Sequence, residues 1–274
     1  MHLRIHEAVK FIQTFGDEFQ KNYYSSLFGN SNIDKTLMHL GKFQNEDGGW
    51  FQIDPDYKGT VSSITCTMAA FGKLERLNIR ESPLIEKSKL FLQKNQKKNG
   101  LWDEPVEILN FDPPHWYYPR INENQIWFTN GMLRYVISRC PEEEDMIKSA
   151  REYLKLFWLG NRFPGYAHND WMGIVSFFNC KDLNEQLIWE NCLNNIKNKI
   201  HRYDLADVVW TLESFYFIGL TKDEPVVKKA LQILMDGQLE DGGFGTGYGE
   251  FQRVDVTIEA LDSLANYGII PRCN

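Results

Sequence analysis

Three stretches of the chain share one pattern: a glutamine, three residues, a glycine, one residue and an aromatic ring. They are QNEDGGW from Gln44 to Trp50, QKKNGLW from Gln96 to Trp102, and QLEDGGF from Gln238 to Phe244. The first two glutamines lie 52 positions apart and the last two 142. The larger gap is close to three periods of about 47, a length found in arrays of helical hairpins. Two degenerate repeats are therefore expected between the second and third copies.

The apolar spacing around these turns is helical. Ile33, Leu37, Leu40 and Phe43 recur at three- and four-residue intervals, as do Leu84, Ile85, Leu90 and Leu92, and each run leads straight into a glutamine turn. A more apolar segment follows each turn, beginning at Thr60, Asn122 and Val254. The two missing repeats fit DMIKSAREYLKLFWLGN with DWMGIVSFFNC, and LNEQLIWENCLNNIKNKI with YDLADVVWTLESFYFIGL. In the first of these the turn has decayed to RFPGYAH; in the second the helices nearly abut at His201. HEAVKFIQTFGDEF near the start predicts one more helix, and alternating strand patterns are absent. The expectation is an all-α protein, one domain over 1–274, with hairpins at roughly 33–78, 83–139, 143–180, 183–220 and 225–268. Because the second helix of each pair carries few charges on any face, a closed double ring is favoured over an open solenoid: an α/α barrel (toroid) of five to six hairpins.

Composition narrows the function classes. A formal charge of -7 and a pI near 5.5 argue against a nucleic-acid partner. No continuous apolar stretch reads as a signal peptide or membrane span, so a cytoplasmic location is expected. Cys66, Cys140, Cys180, Cys192 and Cys273 are scattered and odd in number, which suits reduced thiols. P-loop, dinucleotide, GxSxG and HExxH patterns are missing, and no Asp-x-Cys pair or histidine spacing (His39, His115, His168, His201) suggests a metal site. The glycine-rich GGFGTGYG at 242–249 follows a helix and reads as an extension of the glutamine turn.

The stretch FLQKNQKKNGLW, with Phe91, Leu92, Gln96, Gly100 and Trp102, resembles the QW repeat of terpenoid cyclases of the squalene-hopene type, a pattern related to repeats in protein prenyltransferase β-subunits. The resemblance covers most of the chain. It implies an α/α barrel with inner and outer helical rings, a cavity for an isoprenoid (a prenyl or polyprenyl diphosphate or a polyene), and cyclisation begun by protonating an alkene or epoxide. No cofactor is implied; Mg²⁺ would enter only with a diphosphate substrate. One such domain is short for these enzymes, so a homodimer or partner subunit would be needed if the cavity opens at one end. The glutamine turns themselves read as bracing, with the glutamine donating to orphan carbonyls of its own helix end and the ring packed over it.

These cyclases use the middle aspartate of a DxDD motif, which is absent here. Its nearest remnant is RVDVT, which puts Asp255 in that place with Arg253 beside it to hold the carboxylate ionised; a helix cap is the competing role. Asp204 and Asp207 lie three apart and form a second candidate acid pair, with capping again the alternative, and Glu123 carries the same ambiguity. Asp255, Glu259 and Asp262 form a stripe expected to face solvent. Trp127, Phe128, Trp171, Trp210 and Phe215 on presumed inner helices, with Trp116 and Tyr117 in HWYYPR, are candidate cavity-lining rings or plain core. Two other function classes compete: a non-catalytic ring that binds a lipid or protein, and a carbohydrate-active barrel with two carboxylates flanking a glycosidic bond.

Overall fold

The computed structural model describes residues 3–29 and 33–272. The described residues form helices α1 (Ile5–Phe15), α2 (Glu18–Phe28), α3 (Ile33–Leu40), α4 (Ile64–Arg76), α5 (Pro83–Asn95), α6 (Asn122–Arg139), α7 (Glu144–Lys155), α8 (His168–Ser176), α9 (Leu183–Lys199), α10 (Leu205–Phe217), α11 (Pro225–Asp236) and α12 (Arg253–Asn266). From α3 onward they fall into the five expected pairs. The start of the chain supplies two helices where one was expected. The Asp17 carboxylate accepts from the Gln20 backbone while Gln20 reaches back to the Asp17 N–H, a reciprocal cap that starts α2 directly after Gly16 ends α1.

The chain divides into two compact units, residues 1–38 with 196–274 and residues 39–195. In the first, α12 packs against α1, α2 and α10, and α10 against α11. Ile258, Ala260, Leu261 and Leu264 of α12 are all buried, so this helix is enclosed by its neighbours. In the second, α6 packs against α4, α7 and α8 and buries Ile126, Phe128, Met132, Leu133 and Val136. In both units the later helix of a pair is the enclosed one; for α6 this follows its low charge, whereas α12 is enclosed despite Asp255, Glu259 and Asp262.

The glutamine turns are built alike in all three copies. Gly48, Gly100 and Gly242 have φ of 89°, 90° and 91°, backbone that favours glycine. The residue before each, Asp47, Asn99 or Asp241, accepts from the backbone N–H two positions on. The glutamine does not bind the carbonyls of its own helix end, as the sequence suggested. Gln44 Nε2 donates to Gly48 O (3.0 Å) and to Leu84 O of α5 (2.8 Å). Gln96 Nε2 donates to Gly100 O (3.3 Å) and Met146 O of α7 (3.0 Å), and Gln238 Nε2 to Gly242 O and Arg4 O (both 2.9 Å). An amide has two N–H groups, so one closes the turn while the other docks the next outer helix. For the last copy that next helix is α1, so within the first unit the final turn of the repeat meets the first helix of the chain.

The glycine is as much a docking residue as a turn residue. A Cβ would lie 2.1 Å from Lys87 O at Gly48, 1.9 Å from Ser149 O at Gly100 and 2.3 Å from the Glu7 carbonyl carbon at Gly242. Trp50, Trp102 and Phe244 are fully buried. Trp50 Nε1 donates to Ser88 Oγ (2.6 Å) and Trp102 Nε1 to Leu92 O (3.0 Å). The buried indole N–H groups are thus satisfied, which makes a tryptophan tolerable at such depth.

Candidate functional site

In the first unit, Asp204 caps α10: Oδ1 accepts from Ala206 N–H (3.0 Å) and Thr246 Oγ1 (3.0 Å), and Oδ2 from Gly247 N–H (2.6 Å). It thereby pins the glycine-rich loop to the start of α10. Asp207, in the first turn and buried, accepts from the Tyr248 hydroxyl at 2.8 Å. Burial, with the Asp207 charge second, pushes the Tyr248 phenol far above its ordinary range, so it stays a neutral donor. Asp255 does not cap α12. It lies inside the first turn and accepts from Gln20 Nε2 of α2 at 2.8 Å.

Arg253 does not turn to Asp255 as expected. Its guanidinium donates from Nη2 to both Asp241 oxygens at 2.8 Å and from Nη1 to Glu250 at 3.0 Å, and it lies over the Phe11 ring. A planar fork is better matched by the Asp241 carboxylate of the turn than by a carboxylate on its own helix. The acidic stripe is likewise not solvated beyond Asp255. Glu259 and Asp262 are buried, Glu259 accepting from Trp210 Nε1 (3.0 Å) and Asp262 pairing with Arg272. An enclosed last helix leaves no face for solvent.

The candidate rings divide by burial. Phe128, Trp171, Phe215 and Tyr117 are buried, Trp116 is exposed, and Trp127 and Trp210 are partly exposed. In the second unit Trp127 on α6 forms an aromatic group with Phe128 (centroids 5.4 Å apart), Tyr166 (5.9 Å) and His168 (6.1 Å), and His168 sits edge-on to Trp171 at 4.6 Å. In the first unit Trp210 tilts against Tyr248 at 5.6 Å. Glu123 is exposed. Cys66, Cys140, Cys180 and Cys192 are buried thiols outside any disulfide, while Cys273 lies outside the described residues. Among the described residues no group of three His, Cys, Asp or Glu side chains could hold a metal ion.

The second unit contains two carboxyls that the sequence reading passed over. Glu104, two residues after Trp102, is 3% exposed. Its Oε1 accepts from Ser63 Oγ and Thr65 N–H (2.8 Å each) and its Oε2 from Ile64 N–H (2.9 Å), so it serves the start of α4 from a separate loop. Burial pushes its carboxyl up to about 7 despite these donors. Asp54 lies in the loop after the first glutamine turn. Its carboxyl is enclosed by protein, and desolvation pushes it up to about 6, against the pull of the Asp56 N–H that donates to Oδ1 at 2.8 Å, the Tyr117 phenol and Lys73.

At the level of sequence no known family and no curated protein matches this chain. Among solved structures the match is extensive in fold: the chain has the fold of the type II terpene cyclases. One enzyme with this fold is MstE from Scytonema. One of its variants, in complex with the substrate geranylgeranyl dihydroxybenzoate, is similar over 96% of each chain at a TM-score of 0.63 and 12% identity. Another, in complex with the product merosterolic acid A, is similar over 96% of this chain and 95% of that one, at a TM-score of 0.60 and 13% identity. The apo enzyme is similar at a TM-score of 0.60 and 12% identity, over 95% of this chain and 96% of that one. No described helix is long and apolar enough to cross a membrane.

Proposed function

We propose that this chain is a terpenoid cyclase that binds a substrate bearing an isoprenoid chain and closes it into rings after protonating an alkene. The observation that carries this reading is the likeness, over nearly the whole of both chains, to a cyclase structure containing a geranylgeranyl-bearing substrate. The aromatic group of Trp127, Tyr166, His168 and Trp171 supports it, since each ring face near a carbocation stabilises it by about 0.5 to 2 kcal/mol. In this reading Asp204, Asp207 and Asp255 serve the scaffold as hydrogen-bond acceptors, each taking an N–H or O–H donor. Asp204 and Asp255 brace helices, Asp207 holds the Tyr248 hydroxyl, and Glu259 accepts from the Trp210 indole N–H. We place the chemistry in the cytoplasm.

The test is incubation with geranylgeranyl dihydroxybenzoate and with farnesyl and geranylgeranyl diphosphates, followed by mass spectrometry. The expected product has the mass of its substrate and fewer double bonds. Asp255→Asn and Asp204→Asn should retain most of the turnover. Recovery of every substrate unchanged by folded protein would reject the reading.

A further inference from the structure

We propose that Asp54, assisted by the buried phenols of Tyr57 and Tyr117, is the proton-delivering centre of this chain and takes the place of the missing aspartate motif. The inference rests on the cyclase reading above and supplies the acid that reading lacks. An initiating acid must be enclosed, carry a proton near neutral pH, and leave an oxygen uncommitted to the scaffold. Glu104 fails the last condition, because three donors hold both its oxygens. Asp54 meets all three. It is enclosed yet keeps accessible surface. One backbone N–H, that of Asp56, donates to its Oδ1.

A second observation comes from the rings beside it. Tyr57 and Tyr117 are each 0% exposed and stack with centroids 5.6 Å apart, and Phe111 meets Tyr57 edge-on. The hydroxyl oxygens of both tyrosines are buried outside hydrogen-bond geometry, with the Val61 backbone beside that of Tyr57. Tyr117 is near enough to Asp54 to favour its anion but stands outside hydrogen-bond geometry. A buried hydroxyl left unpaired costs about 1 to 3 kcal/mol, so two in one place call for a use. Burial, with nearby Asp54 next for Tyr117, pushes the Tyr57 phenol up to about 12 and Tyr117 well above its usual range, so both remain donors. The loop is shaped around Tyr57: a Cβ on Gly59 would lie 2.1 Å from its hydroxyl.

The step balances as an isomerisation. The Asp54 O–H bond breaks, the alkene π electrons form a C–H bond, and a carbocation and the Asp54 carboxylate remain. Tyr117 then donates to that carboxylate, which disfavours return of the proton. Ring closure proceeds through further alkenes until a C–H proton is lost to solvent, and Asp54 takes a proton back from water.

The closing experiment uses the full chain with geranylgeranyl dihydroxybenzoate. Asp54→Asn should keep its fold and substrate binding while losing at least about 100-fold in turnover. Turnover of the unaltered protein should fall as pH rises through about 6, where Asp54 loses its proton in the field of Asp56, Lys73, Tyr117 and Cys66. Tyr117→Phe removes a donor that favours the anion, so that limb should move to higher pH; a merely structural tyrosine would leave it in place. Infrared difference spectra should show a protonated carboxyl at pH 5 that is missing in Asp54→Asn, whether or not any substrate turns over. Cyclisation by Asp54→Asn at the unaltered rate overturns the inference and leaves the cyclase reading standing. The infrared band with no isoprenoid converted upholds the acid site and rejects the cyclase reading. If Asp54→Asn does not fold, the Tyr117→Phe shift of the pH limb decides.

Discussion

The second and third repeats of the 39–195 unit solve one problem in two ways. Both must end an outer helix and bring an aromatic ring into the core. After α5, Gln96, Gly100 and Trp102 do so by gripping α7. After α7 the glutamine is gone, yet Phe163 is still buried, edge-on to Trp158 at 4.9 Å and stacked on Phe177 at 6.2 Å. Each turn contains a glycine with nearly the same backbone, φ 90° at Gly100 and 89° at Gly160. A Cβ on Gly100 would strike Ser149 O at 1.9 Å, whereas nothing lies within 4 Å of one on Gly160. The glutamine–glycine–aromatic signature therefore encodes a grip on the next helix. A turn that merely reverses the chain needs only the aromatic ring and a permissive backbone.

The largest expected effect comes from Gly100→Ala, which meets both the left-handed strain and a collision with backbone. It should cost about 4 kcal/mol or more, read as a drop in the urea midpoint. A cost below about 1 kcal/mol would mean that α7 can back away, and the grip would not be what fixes the signature. Next comes Glu104→Ala, at about 3 kcal/mol, because it leaves the Ile64 and Thr65 N–H groups and the Ser63 hydroxyl buried without their acceptor. At the matching place after Phe163 stands Gly165, so the third repeat offers no such carboxyl. Glu104 also has a pH signature. Its folded pKa of about 7 lies above the usual 4.5, so the folded state holds the proton more tightly. Its contribution is full below about 4.5 and is lost as pH rises through 7. Glu104→Gln should flatten that fall in stability across the window.

How far the sequence could be read follows from the same contrast. The glutamine grip leaves three separated residues in fixed register, and so the helical hairpins were legible. The decayed turn was placed by arithmetic alone. The acids were harder. Asp255 drew attention through its neighbours in RVDVT, but Arg253 serves Asp241, a partner 12 positions away that no local pattern connects. Asp204 could be read as a cap because capping is local. The roles of Asp54 and Glu104 depend on enclosure by Tyr57, Tyr117 and the start of α4, which no spacing reports. The Asp54-Pro55-Asp56 step in QIDPDYKG was the available signal, two carboxylates following directly on a glutamine turn.

Gln96→Ala sharpens the comparison at smaller cost. It removes one amide that bridges Gly100 O and Met146 O and fills no space, so about 2 kcal/mol is expected. Hydrogen exchange should show the loss at the start of α7 more than at the end of α5, because the amide's outward bond is to Met146. Equal loosening of both helices would place the glutamine's value in its own turn instead.

The smallest effect should be that of Gly160→Ala. Its φ of 89° resists a side chain as much as that of Gly100 does, but the new methyl group enters open space. What remains is the backbone preference alone, about 1 kcal/mol, partly offset by the lower entropy of an unfolded chain carrying alanine. The pair of substitutions thus separates two quantities that the glutamine turns always present together, since φ is held constant and only the neighbour differs. If Gly160→Ala destabilises as much as Gly100→Ala, left-handed strain accounts for both and the close approach to Ser149 is incidental. If the gap is several kcal/mol, most of the glycine's worth in these turns belongs to the helix that follows.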